Sequence, residues 1–484
     1  MRKLVVFAIV LVFLAVPLTA FGTMGQMSPK SKDINVEFFG RLKTYPTWQS
    51  NMNFNSDKDS ETFDPPPYGT DPITINDGLF DENGYMADHN IRNELRMGWK
   101  GGNDTFDFLI ILEADFNLDK NDTDRAPNTA GSDFGIEKLD VGYNFGPFRL
   151  HTGWADGEHL DMFTGGLVYG NDHPYIGLNG NIGENFSWRL NYVTVFDQTT
   201  DSGGVNPWDG DDLDWRFYTA KGIYTIPSGF AKGFVISPFY AFSDNTVHNN
   251  AQVNYIGLEG YGKLGIFTPR FEIVYADGDT DKDATGTDYD ISAMAAYASV
   301  DVEICPGFIP YVGVRYMEGD DDPDDDDYDA YNSIGDIMRY TPTFGMENGI
   351  VYRRLTVLGT QLYAGNFNGI GNQTGYGGDG NNEMGDAPGL IMWGLGVKGT
   401  FGKWSYKAQY MDFSFDEEPD HIVAGIDDEV GQEFDLRVAY AFSKHFTIAN
   451  CFAAFEPGDA IEDLWGNDYD DTALINTIEL IWNW

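Results

Sequence analysis

The chain has 484 residues, 76 Asp+Glu against 30 Lys+Arg, and a formal net charge of -46, so phosphate backbones are repelled and nucleic acid is excluded as a natural partner. No stretch after residue 22 is long and apolar enough for a membrane-crossing helix, yet 15% aromatic residues and 57 glycines are high for a soluble acidic protein. Two cysteines, Cys305 and Cys451, leave one pairing open and exclude a framework of disulfides.

The start, "MRKLVVFAIVLVFLAVPLTAFG", sets Arg2 and Lys3 before an apolar run from Leu4 to Leu18. It reads as a secretory signal peptide over 1–22, cut after Gly22, with Ala20 and Gly22 as the small-x-small site. The run is too short for a membrane anchor, and no cysteine near the cut supports a lipid anchor. Residues 23–33 then form a short periplasmic segment, and 34–484 the folded unit.

Segments of alternating polarity follow to the end. "TFDFLIILEADFNL" puts Phe106, Phe108, Ile110, Leu112 and Phe116 on one face, opposite Asp107, Glu113 and Asp115. "KLDVGYNF", "WRLNYVTVF" and "EFDLRVAYAF" repeat the pattern, with Lys138, Arg189 and Arg437 among the polar positions. A period of two means strands, and helical spacing fits none of these segments. The class is all-β.

Short links such as "KGGND", "GENF", "FGKW" and "SKHF" take turns with longer acidic stretches such as 56–87, 118–133, 277–290 and 318–341. That means hairpins with one tight end and one busy end. The best count is 20 strands, with 18 the other value open because the segment near 341–352 is weak. An open sheet of this size would expose edges, which closure removes. A β-propeller would show blade repeats of roughly 40–50 residues, and none is found. The expected architecture is a transmembrane antiparallel up-and-down β-barrel of 18–20 strands, with short periplasmic turns and long acidic extracellular loops.

The chain ends "TALINTIELIWNW", with Ile478, Leu480, Trp482 and Trp484 on one face. This resembles the terminal strand of bacterial outer-membrane porins, although most of those end in Phe. The resemblance covers the architecture of the whole mature chain but identifies no subfamily. It implies that the terminal strand is read by the barrel assembly machinery, and that the barrel sits among the lipid and lipopolysaccharide of an outer membrane. It implies passive diffusion of small polar solutes or ions, and leaves open a homotrimer or a single working chain.

In many porins the third outer loop, after the fifth strand, folds inward. Here that loop is "ADGEHLDMFTGGLVYGNDHP", 155–174. By resemblance, Asp156, Glu158, His159 and Asp161 project toward Arg149 and His151 or Arg189, Met162, Phe163, Leu167 and Val168 pack the loop, and Gly165-Gly166 permits its bend. Placing the apolar faces toward lipid puts Arg92, Arg96, Glu113, Asp115, Lys138, Arg149, His151, Arg189, Arg270, Arg315 and Arg437 in the lumen as pore-lining candidates. A cation facing lipid at the midplane would cost roughly 2–4 kcal/mol.

"DGDTDKD" places Asp277, Asp279, Asp281 and Asp283 at alternate positions, an oxygen-rich pattern that suits Ca2+ but lacks the EF-hand glycine. The blander account is a solvated anionic surface. No G-x-S-x-G, H-E-x-x-H or C-x-x-C-H occurs, and the 7 histidines do not cluster, so no catalytic residues and no required cofactor are expected. Rival functions are a selective channel for an anionic solute or oligosaccharide, like the alginate-export and other large specific porins, and the barrel sheath of a porin–cytochrome electron conduit. An adhesin would need a ligand that nothing in the sequence supplies.

Overall fold

The computed structural model describes residues 34–51, 89–117, 132–154, 160, 164–170, 172–198, 213–246, 250–280, 288–322, 326–335, 343–350, 388–418, 425–465 and 470–484. The expectations for 1–22 and 23–33, and most of the long acidic loops, lie outside these residues. The first strands are β1 (Asn35–Ser50), β2 (His89–Gly102), β3 (Phe106–Asn117), β4 (Ser132–Asn144), β5 (Phe148–Trp154) and β6 (Pro174–Ile182). Then come β7 (Phe186–Gln198), β8 (Leu213–Thr225), β9 (Val235–Asn245), β10 (Ala251–Tyr261), β11 (Phe267–Asp279), β12 (Asp290–Val302) and β13 (Ile309–Met317). The rest are β14 (Asp327–Tyr328), β15 (Leu390–Phe401), β16 (Trp404–Ser414), β17 (Glu429–Ser443), β18 (Phe446–Pro457) and β19 (Ala473–Asn483), with a short helix, α1 (Asp459–Trp465), among the described residues.

Each wall strand pairs antiparallel with its sequence neighbours, and β1 pairs with both β2 and β19, which closes the sheet. Two residues long, β14 runs parallel to β12 outside this pattern. The wall therefore has 18 strands, which corrects the best count of 20. The physical reason lies at β13 and β15, which pair directly from Ile309↔Lys398 to Met317↔Leu390. Their hydrogen-bonding edges are satisfied by each other, so no two strands fit between them. The outer connection between β9 and β10 is also shorter than its neighbours, at 246–250.

Exposed apolar side chains cover the outside: Val36, Phe148, Ile176, Ile273, Trp393, Leu395 and Phe434 are examples. A closed wall with this surface buries it in hydrocarbon and satisfies every ladder hydrogen bond internally. At the tight-turn end an aromatic girdle runs from β16 to β19, through Trp404–Tyr440 (4.8 Å), Tyr440–Phe442 (4.7 Å), Phe442–Phe446 (5.6 Å) and Phe446–Trp482 (5.3 Å).

The inside is not ionic throughout. Toward the long-loop end, Phe217, Val253, Val274, Ile291, Met392 and Phe413 face inward and are buried against residues of two inserted segments. Elsewhere on the inner face ion pairs alternate with buried neutral polar residues such as Asn191, Thr219, Gln409 and Thr477. The two cysteines do not pair: Cys305 is exposed in a turn and Cys451 is buried on β18.

Candidate functional site

The first inserted segment lies between β5 and β6, so the loop after strand five does fold inward. Leu160, Leu167 and Val168 are fully buried. Glu272 of β11 grips the turn: its Oε2 accepts the Thr164 hydroxyl (2.7 Å) and the N–H groups of Gly165 (2.8 Å) and Gly166 (3.0 Å), and its Oε1 accepts that of Leu167 (3.3 Å). Lys221 of β8 donates to the Leu160 carbonyl and pairs with Glu259 of β10. Arg315 of β13, buried, donates to the Gly165 carbonyl at 3.3 Å. The bend needs glycine at both positions. Gly166 has φ +64°, and a Cβ on Gly165 would fall 2.7 Å from the Cβ of Tyr297.

Asp156, Glu158, His159, Asp161, Met162 and Phe163 lie outside the described residues. The part that is described is seated on β8, β10, β11 and β13.

The second inserted segment comes from the connection between β13 and β15, through 326–335 and 343–350. Its first part joins the other segment: Ile334 N–H donates to the Val168 carbonyl (2.9 Å), Gly170 N–H to the Gly335 carbonyl (2.8 Å), and the Tyr331 hydroxyl to the Leu167 carbonyl (3.1 Å). Its second part crosses to β1 and β15–β19. Lys43 and the Tyr45 hydroxyl each donate to Glu347 at 2.7 Å. Asn348 donates to Glu479 at 2.6 Å, and Ile350 N–H to Glu433 at 2.7 Å. Gln409 donates to the Phe344 carbonyl (2.7 Å) and Lys407 to the Gly345 carbonyl (2.9 Å). The segment near 341–352, expected as a weak wall strand, has its described part inside the barrel instead.

On the wall, Arg92 pairs with Asp115 (2.6 Å), and Arg96 with Glu94 (3.1 Å), Glu137 (2.8 Å) and Glu113. Lys138 shares a face of β4 with Asp140. Asp140 accepts from Arg149 (2.6 Å), His151 Nδ1 (3.1 Å) and the Tyr175 hydroxyl (2.7 Å), while Arg149 also pairs with Asp107. Arg270 and Lys398 share Asp301, at 3.2 and 2.9 Å, and Arg437 pairs with Glu479 at 2.6 Å.

Several cations stand directly opposite other cations across the ladder: Arg41 and Arg96, Arg189 and Lys221, and the row Lys398–Lys407–Arg437. Like charges in that relation destabilise a sheet. Carboxylates offset most of the cost, but among the described residues Lys407 has no ion-pair partner.

Asp277 and Asp279 are in β11, not in a loop, and Asp281 and Asp283 lie outside the described residues. Among the described residues no group of three or more His, Cys, Asp or Glu could hold a metal ion. At the other end, Ile478, Leu480 and Trp482 share the outward face of β19, opposite Asn450, Ile448 and Phe446 of β18. Trp484 exchanges both backbone hydrogen bonds with Gly40 (3.1 and 3.2 Å), which seals the seam.

Sequence reasoning missed Glu259, Thr164 and the whole of 343–350. One signal was present: "LIMWGLGV" in β15 is apolar on both faces, as a strand with two covered faces must be.

No protein-family profile and no curated sequence matches the chain at a significant level. Solved structures do match in shape. OccAB2 of Acinetobacter baumannii is 11% identical, with 93% of this chain and 98% of that one covered and a TM-score of 0.52. OpdK of Pseudomonas aeruginosa, solved with vanillate, is 10% identical, with 93% and 99% covered and a TM-score of 0.51. OccK5 (OpdH) of the same organism is also 10% identical, with 93% and 98% covered and a TM-score of 0.50. The likeness spans nearly the whole length of each chain, and what it shows is that this protein has the fold of these large single-chain β-barrels.

Proposed function

We propose that the chain is an outer-membrane channel through which small polar solutes or ions diffuse passively. One observation carries this reading: a closed, lipid-facing wall encloses an interior of fixed charges, and the chain narrows that interior with two of its own segments. Fixed charges replace part of the hydration that an ion loses on entering a narrow path. Asp156, Glu158, His159 and Asp161, next to the first segment, and Arg92, Arg96, Glu113, Asp115, Lys138 and Arg149 on the wall are the residues we assign to the path.

Planar-bilayer recording from the purified protein tests it. The expected result is a stepwise ohmic current, with a reversal potential in a salt gradient that shows modest cation preference. A folded protein that carries no current would overturn the reading.

A second reading, a channel selective for small anionic solutes, is favoured by the Lys398–Lys407–Arg437 row. OpdK, the fold neighbour solved with vanillate, was crystallised with an aromatic carboxylate. Strong anion selectivity, with current block by an aromatic carboxylate that Lys407→Gln relieves, would place this reading first. The electron-conduit reading is disfavoured because the chain's own segments take interior space that a cytochrome would need.

A further inference from the structure

Two asparagines interrupt the lipid-facing side of the seam. Asn450 of β18 shares the outward face with Phe446, Ile448 and Phe452, and Asn476 of β19 shares it with Ile478 and Leu480. Four residues of a tilted strand separate Asn450 from the girdle residue Phe446. That is about 10 Å of depth in an apolar band about 25 Å tall, so the amide lies in hydrocarbon. Asn450 Nδ2 donates to Asn476 Oδ1 at 2.8 Å and to the Thr477 carbonyl at 3.4 Å. The contact holds the two side chains at nearly the same depth.

This pairing leaves a remainder. Among the described residues, Asn450 Oδ1 accepts nothing and Asn476 Nδ2 donates nothing, although Asn450 is exposed and Asn476 is half-buried. Turning both amides over exchanges their roles and still leaves a spare oxygen and a spare N–H. Other outward amides are satisfied within the wall. Asn93 of β2 is buried, accepts the Thr44 hydroxyl (2.7 Å) and donates to the Phe116 carbonyl (3.3 Å). Asn254 of β10 accepts the Tyr240 hydroxyl (2.7 Å) and donates to the Asp277 carbonyl (3.0 Å). Lipid tails offer neither donor nor acceptor, so a spare amide group costs free energy until another polar group meets it.

We propose that the Asn450–Asn476 patch is a dimer contact whose occupant is a second copy of this chain. The two spare groups complement each other. About a two-fold axis along the membrane normal, Asn450 Oδ1 of one copy accepts from Asn476 Nδ2 of the other, and symmetry supplies the reverse contact. Ile448, Phe452 and Leu480 pack around these amides. A ring of three or more copies would instead set the patch against a different stretch of wall. The outward pairs Leu150–Leu178 of β5–β6 and Ala298–Val314 of β12–β13 are examples of such stretches, and they offer no hydrogen-bonding side chain. The patch is therefore its own best complement.

Sedimentation equilibrium of the detergent-solubilised full chain tests the contact. A reversible monomer–dimer equilibrium is expected, with a dissociation constant that rises about tenfold in the double variant Asn450→Leu, Asn476→Leu, the equivalent of two hydrogen bonds between chains in hydrocarbon. Leu190→Ala, on the outward face of β7, should leave it unchanged. With the exposed thiol removed by Cys305→Ser, Asn450→Cys should be joined to a second chain by a short flexible bis-maleimide, and Leu190→Cys should not. A chain that stays single at every protein-to-detergent ratio overturns the proposal, and so does an assembly of three. A dimer that the double variant leaves unchanged, or that links at 190 as readily as at 450, overturns it too. If the double variant forms no barrel, the linking result decides alone.

Discussion

Phe344 sits over two glycines that face each other in the wall, Gly313 of β13 and Gly394 of β15. A Cβ on Gly394 would come within 2.6 Å of the Phe344 ring, so the bare backbone is the seat of the aromatic side chain. Gly394→Val should cost about 1–3 kcal/mol through overpacking, and unseat 343–350. Single-channel conductance should rise while the heat-modifiable barrel band on a gel persists; unchanged conductance would mean that Phe344 does not narrow the path.

His173, just before β6, accepts the Tyr169 hydroxyl at Nδ1 (2.8 Å), and burial depresses it from the usual 6.5 to about 4. A depressed histidine binds protons more weakly in the folded state than in the unfolded one, so it removes stability as pH falls from about 6.5 to 4. A loss of thermal stability over that window that His173→Gln abolishes is the expected result. The inward position of Glu272 was readable from alternation. Its role was not, because its donors come from a loop more than a hundred residues away in sequence.

At the scale of elements, β19 holds the seam. It pairs with β18 through Ala473–Trp482 and with β1 through Leu474–Asn483. Removing residues 480–484 would leave β1 and β18 with unpaired N–H and C=O groups at the girdle end, a cost that hydrocarbon makes severe. The truncated chain should fail to give a heat-modifiable, protease-resistant barrel, whereas Trp484→Phe should assemble normally; a stable truncated barrel would show that closure lies elsewhere. The faces of β19 were legible in the sequence, with Thr477 and Glu479 inward and Ile478 and Leu480 outward. The two extra strands in the count of 20 were an overcount, since β13 pairs directly with β15. The segment near 341–352 has strand-like periodicity, but periodicity does not reveal that its described part, 343–350, packs inside the wall.

For the whole molecule, the net charge of -46 implies an anionic mouth. Its field is screened beyond about 10 Å at 0.1 M salt and about 3 Å at 1 M. Cation preference should therefore fall steeply between those concentrations, leaving the selectivity of the interior charges. A preference independent of salt would place selectivity at buried groups alone. By itself the sequence determined the all-β class, the closed wall and the outward face of nearly every strand, because a period of two and a lipid solvent act locally on each hairpin. Only the tertiary structure decided what fills the barrel. Which segment enters, which carboxylate receives its backbone hydrogens, and which cations end up side by side depend on groups brought together by closure, and local pattern carries no record of those meetings.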